Sequence, residues 1–97
     1  MYYVYYLESK INIKYKYIGF TSNIKKRLNY HNCGLVKSTK AKKPWKLIYC
    51  EIYIEKKDAT GREKFLKSGS GLKFLKKQIN YYLTKNSHEN FSQKETG

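Results

Sequence analysis

Apolar and aromatic residues fill the chain from Tyr2 to Leu7, and a second such run from Lys14 to Phe20 alternates lysine with tyrosine through Lys14, Tyr15, Lys16 and Tyr17. Both runs predict strands, because β-branched and aromatic side chains suit a pleated, half-buried surface. Glu8 to Ile13 between them reads as a hairpin loop, and a register centred on Ile11 places Tyr5 opposite Tyr17 on one face. The period then becomes helical. Ser22 is placed to cap a helix over Asn23 to Asn32, in which Ile24, Leu28 and His31 recur at i, i+4 and i+7 and which Asn32, Cys33 and Gly34 close. Lys37 to Lys46 is a polar loop with the single proline, followed by a third strand over Leu47 to Ile54. Helical spacing returns from Lys56 through Ala59, Glu63 and Leu66, breaks at Ser68 to Gly71, and resumes through Leu72, Leu75, Ile79 and Tyr82. The order predicts an α+β fold: a small three-stranded antiparallel sheet packed with helices.

The helical stripes contain charge. In the first helix Arg27 and His31 border the apolar stripe of Ile24 and Leu28, and in the second Glu63 falls about 40° from Ala59, inside the inward face. A charge turned toward a core is costly unless it is paired or bound to a ligand or metal. Arg27 and Glu63 paired with each other would meet that requirement, as would a shared site.

Composition adds a partner. The chain has 97 residues, enough for one core, with 21 Lys and Arg against 7 Asp and Glu and a formal charge of +14. Such self-repulsion points to an anionic partner, with nucleic acid first. Lysine-rich, tyrosine-rich usage from an AT-biased genome is the competing explanation. Cys33 and Cys50 have neither metal-ligand spacing nor the density of a disulfide scaffold, so they read as free thiols. No apolar stretch approaches membrane-spanning length and no leader is evident, which implies a soluble, cytoplasmic protein. Residues 1–83 are expected to form the domain and 84–97, rich in Asn, Ser, Glu and Gln, a tail without a functional site.

The same residues carry a resemblance. Tyr3, Val4, Tyr5 stands where a GIY element would be, Tyr17, Ile18, Gly19 reads YIG, and Thr21, Ser22, Asn23 and Lys26, Arg27, Leu28 follow. With His31, Asn32, Gly34, the stretch Val36 to Lys40, Pro44, Trp45, and Arg62, Glu63 and Lys64 to Gly71, the chain resembles the GIY-YIG endonucleases over about Tyr2 to Lys77. It is similar to the small stand-alone branch related to the nuclease domain of the bacterial excision-repair incision subunit. It departs in having YVY for GIY, Phe20 where some members have lysine, and no counterpart of a late asparagine.

The resemblance implies a metal-dependent endonuclease that hydrolyses DNA phosphodiesters, in repair, recombination or mobile-element processing. Glu63 would be the one protein carboxylate on a Mg²⁺ or Mn²⁺ ion. Arg27 would fork the non-bridging phosphate oxygens, a role worth about 3 kcal/mol of barrier. Tyr17 would orient the water or act as base, with Tyr5 as a hydrogen-bonding neighbour that also positions phosphate. His31 is an alternative proton acceptor, since a tyrosine of pKa about 10 ionises at a cost near 4 kcal/mol at neutral pH. Gly19 would allow a close approach to the strand. Lys37, Lys40, Lys42 and Lys43, with Trp45 to stack on a base, form a candidate nucleic-acid-tracking loop. The alternative function is a non-catalytic basic module that binds DNA or RNA.

Overall fold

A computed structural model describes residues 1–85. The elements are β1 (Tyr2–Ser9), β2 (Lys16–Thr21), α1 (Ile24–Asn32), a single 3₁₀ turn (Lys40–Lys42), β3 (Trp45–Tyr53), α2 (Lys56–Lys67) and α3 (Gly69–Gln78). Residues 80–85 are again helical, so 84 and 85, assigned above to a tail, still belong to a helix. The rest of the expected tail lies outside the described residues. The fold is α+β, as the alternating patterns predict. No described helix is long and apolar enough to cross a membrane.

The sheet is antiparallel with the order β2-β1-β3. β1 is therefore central, and it is covered on both faces: every residue from Val4 to Ser9 is buried. That explains its continuous apolar run where a half-exposed strand would alternate. Val4 and Tyr6 face α2 and α3, where they meet Ile18, Ala59, Leu66 and Leu75. Tyr5 and Leu7 face the other way, toward Trp45, Tyr17, Ile24 and Leu28. One apolar core thus lies on each side of a three-stranded sheet.

Four boundaries differ from the sequence expectation. The hairpin pairs Tyr5 with Gly19 and Leu7 with Tyr17, so its centre is Asn12 and Tyr5 does not face Tyr17. The loop keeps its expected length but sits two residues further along, because Ser9 N–H donates to Tyr15 O at 2.9 Å, and the Ser9 hydroxyl accepts from Ile11 N at 3.1 Å. The partner moves by two residues, an even number, so both tyrosines keep the same face of the sheet. Asn23, not Ser22, caps α1: its Oδ1 accepts from Lys26 N at 3.1 Å and satisfies a donor left open by the first turn.

At the other end of α1, Leu35 N donates to Tyr30 O and Gly34 N to His31 O, while Gly34 has φ 78°. This paired closure needs the left-handed conformation that glycine adopts without a Cβ clash. The break at Ser68 to Gly71 contracts to Ser68 alone. That residue ends α2, and its Oγ accepts from Gly71 N at 3.1 Å to begin α3. The third strand starts two residues early, at Trp45.

Candidate active site

α1 lies across the face of the sheet that carries Tyr5 and Tyr17, and it brings His31 against both rings. The ring centroids are 6.3 Å apart for Tyr5 and Tyr17, 5.6 Å for Tyr5 and His31, and 5.1 Å for Tyr17 and His31. Gly19 makes room for this packing. A Cβ at that position would overlap Oη and Cζ of Tyr5 and come within 2.9 Å of Tyr17 Cε2, so only glycine allows the Tyr5 ring to cross the neighbouring strand.

The polar atoms form one directed chain. Arg27 Nε lies 3.4 Å from Tyr5 Oη, Tyr5 Oη 2.8 Å from His31 Nε2, and His31 Nδ1 2.7 Å from Thr39 Oγ1. Thr39 Oγ1 in turn lies 3.4 Å from Val36 O. Arginine can only donate and a carbonyl only accept, so the directions are fixed. Arg27 donates to the Tyr5 oxygen, the Tyr5 hydroxyl donates to bare Nε2, and the imidazole proton sits on Nδ1 and goes to Thr39. The assignment follows from the network.

Electrostatics agree with these directions. Burial, with the Arg27 charge adding to it, lowers the His31 pKa to about 4, so the ring is neutral at physiological pH. The ring is wholly buried, so its pKa lies below the ordinary histidine range on which its reading as a proton acceptor rests. Tyr5 is raised, mainly by burial. Its hydroxyl is enclosed between Arg27 and His31 and the residue is 1% exposed, which corrects the expectation that Tyr5 touches phosphate. Arg27 is raised in turn, first by its bond to Tyr5. With Nε committed there, the rest of the guanidinium lies toward Tyr17, which raises the Arg27 pKa further.

Glu63 approaches from α2. Its Oε2 pairs with Lys67 Nζ at 3.1 Å, its charge acts on Tyr5, and its side chain is 23% exposed. Pairing of Glu63 with Arg27 or Arg62 is not observed. Lys67 Nζ also sits 6.0 Å from the Tyr17 ring centroid, so the carboxylate and the half-buried phenol share one ammonium.

Arg62 is instead held by Glu51 on β3, through Nε to Oε1 at 2.8 Å and Nη2 to Oε2 at 3.0 Å. Tyr49 and Tyr53 donate to the same carboxylate at 2.5 and 2.7 Å. Burial opposes ionisation of Glu51, but the bonds from Arg62, Tyr49 and Tyr53 outweigh it and hold the carboxyl below its usual range. Burial and the bond to Glu51 push both phenols up to about 12. This cluster, which the sequence reading missed, ties the middle of α2 to the sheet one residue from Glu63. The spacing Tyr49, Glu51, Tyr53 was a signal for it, since period two puts all three on one strand face.

The basic loop divides. Lys37, Lys40 and Lys43 are exposed. Lys42 is half-buried, its carbonyl accepts from Ser9 Oγ at 2.7 Å, and its ammonium lies 4.2 Å from the Tyr15 ring centroid. Trp45 is 4% exposed, packs on Tyr5 and Leu7, and donates from Nε1 to Thr39 O at 2.9 Å. The expectation of Trp45 as a base-stacking residue is therefore corrected, because its ring has no free face. Asn32 clamps it by accepting from Trp45 N at 2.6 Å and donating to Trp45 O at 3.2 Å.

Two phenols, a guanidinium and an imidazole thus meet on one face of the sheet, and the Glu63 charge acts on the same Tyr5. The GIY-YIG catalytic domain matches residues 1–77, and the chain belongs to the GIY-YIG family. It is 41% identical over 69 residues to a UPF0213 protein of Clostridium perfringens, covering 69% of this chain and 71% of that one. A UPF0213 protein of Staphylococcus haemolyticus is 37% identical over 76% of this chain and 89% of its own. One from Streptococcus agalactiae is 42% identical over 53% of this chain and 59% of its own, so that match spans little more than half of the relative. No solved structure matches the chain. The GIY-YIG domain is a nuclease domain acting on nucleic acid, and such nucleases are generally dependent on a divalent metal.

Proposed function

We propose that the protein is a divalent-metal-dependent endonuclease that hydrolyses phosphodiester bonds in DNA. The observation that carries this reading is the Arg27 guanidinium: Tyr5 holds its Nε, its remaining nitrogens lie toward Tyr17, and the Glu63 charge acts on the same Tyr5. That is a prearranged fork for two phosphate oxygens.

The residues present fit a hard cation. Lys67 engages Oε2 of Glu63, whereas Oε1 has no partner among the described residues. One open carboxylate oxygen at a partly exposed position suits an ion such as Mg²⁺ or Mn²⁺ that keeps most of its water. No group of three or more His, Cys, Asp or Glu side chains among the described residues would form a closed cage. When bound, the ion supplies a Lewis acid beside the phosphoryl oxygens.

The chain's own groups then divide the work. Arg27 grips the non-bridging oxygens as negative charge builds. Tyr17, the more exposed phenol, orients the attacking water and takes or relays its proton. Tyr5 and His31 are positioning residues: His31 fixes the Tyr5 hydroxyl rotor, which leaves the Tyr5 oxygen facing Arg27. Lys37, Lys40 and Lys43 hold the flanking backbone through charge alone.

Supercoiled plasmid incubated with the protein and Mg²⁺ or Mn²⁺ is expected to be nicked. Glu63→Gln should abolish nicking while plasmid binding persists. Full cutting by that variant would remove Glu63 from the reaction, and binding without cutting by the unaltered protein under every divalent ion would leave only a binding module. Competition with matched RNA tests the choice of DNA.

A further inference from the structure

A cavity of about 560 Å³ opens beside the outer edge of β2, between that strand and the two helices α2 and α3. Its floor is apolar, built from Ile18, Leu66 and Leu72, and its rim carries the ammonium groups of Lys14, Lys67 and Lys76 from three different elements. Tyr17 forms one wall, so the cavity shares a residue with the site described above. Lys67 is the second link, since it pairs with Glu63. Lys14 and Lys76 form no ion pair among the described residues, whereas Lys16, also at the rim, is held by Glu8 and by the Ile13 carbonyl.

This combination is specific about its occupant. Backbone tracking of nucleic acid needs cations on an open surface, and a phosphate alone would leave the apolar floor wet. The volume falls in the range of about 300–1,000 Å³ typical of sites for small organic ligands. β2 is an edge strand, so its outward N–H and C=O groups have no strand partner and are available to a polar ring or sugar. An apolar face, polar edges and an adjoining anion together describe a nucleotide. A base held in a duplex stack cannot present its faces to such a recess, and unstacking it costs a few kcal/mol.

We propose that this cavity is a nucleotide subsite that receives the base and sugar of one unpaired nucleotide next to the phosphate being cut. The proposal rests on the nuclease reading for what lies next door, and it makes the preferred substrate one with a single-stranded segment at the cleavage position. Lys14 and Lys76 hold the phosphate that follows the seated base, and Leu72 lies beneath the ring.

The test uses full-length Glu63→Gln protein, so that binding is read without turnover. Filter binding compares three DNA probes: a duplex with a single-stranded overhang, the same overhang made of abasic residues, and a blunt duplex. The first is expected to bind about tenfold tighter than the other two, the scale of one buried base. Leu72→Trp, which fills the cavity, should erase that preference and leave blunt-duplex affinity unchanged. The surface double variant Lys14→Ala with Lys76→Ala should weaken overhang binding more than blunt binding, and it serves if Leu72→Trp does not fold. Equal affinity for all three probes overturns the proposal, as does a preference that survives filling the cavity. A free deoxynucleoside monophosphate that binds tighter than the overhang overturns it in favour of a small-molecule site. Cleavage by the unaltered protein is scored separately. Overhang preference without cleavage sinks the nuclease reading and keeps the subsite, and cleavage without preference does the reverse.

Discussion

The two faces of the sheet differ in what they bury. Toward α2 and α3 the side chains of Val4, Ile18, Ala59, Leu66 and Leu75 meet around the Tyr6 ring, with the bonds among Glu51, Arg62, Tyr49 and Tyr53 at the border of the cluster. Toward α1 the centre is a phenol, an imidazole and a hydroxyl, each fully bonded, and among the described residues no buried side-chain polar atom lacks a partner. An apolar contact tolerates small displacements, whereas a chain of hydrogen bonds fails when one member moves. The α2 and α3 side therefore supplies stability, and the α1 side holds side chains in fixed directions at some cost in stability.

Substitutions on the two faces should separate these roles. Leu75→Ala, on the apolar side and away from the cavity, should destabilise the fold by about 2–5 kcal/mol in urea unfolding followed by circular dichroism. Its folded fraction should cut DNA at nearly the original rate, and a large fall in that rate would mean the apolar side also sets the chemistry. Arg27→Ala, on the other side, should lower turnover by roughly 3 kcal/mol of barrier, a factor of 100 or more, while shifting the unfolding midpoint little. Arg27→Lys should not restore activity, because an ammonium lacks the planar fork.

His31 gives the next effect in size, and it depends on pH. Its folded pKa of about 4 lies below the roughly 6.5 of an unfolded chain, so folding excludes a proton. Stability should be intact above pH 6.5 and fall between about 6.5 and 4. The loss should exceed that of His31→Gln by roughly 3 kcal/mol. Parallel curves for the two proteins would show that the imidazole is not held neutral. The smallest effect is Gly34→Ala, about 1 kcal/mol of stability, since the left-handed turn that ends α1 would then carry a Cβ. Activity should change less than in Arg27→Ala, because Gly34 lies beyond the helix that carries the working residues.

The elements were legible because their signals are local. Strand runs and helical spacing follow from which residues must avoid water, and the wheel positions of Arg27, His31 and Glu63 marked them as inward-facing before any contact was known. What could not be read depends on residues far apart in the chain. The hairpin register turns on Ser9 binding the tip of its own loop. Trp45 looked like a stacking residue because basic side chains flank it, yet Asn32 fixes it from 13 positions away. Thr39, the last side chain in the hydrogen-bonded chain from Arg27, falls in the Val36 to Lys40 stretch, but its bond to His31 is set by the tertiary fold. Glu51, from a different element, takes Arg62, and the one ion pair of Glu63 among the described residues is with Lys67 on its own helix.

The buried position of Trp45 makes it a built-in reporter. The chain has one tryptophan, and it packs against Tyr5 on the α1 side of the sheet. Its emission spectrum therefore tracks that half of the molecule alone, while backbone dichroism averages over both. If the two signals separate during denaturation, the imidazole side melts apart from the aliphatic side, and the protein needs no added dye to show it.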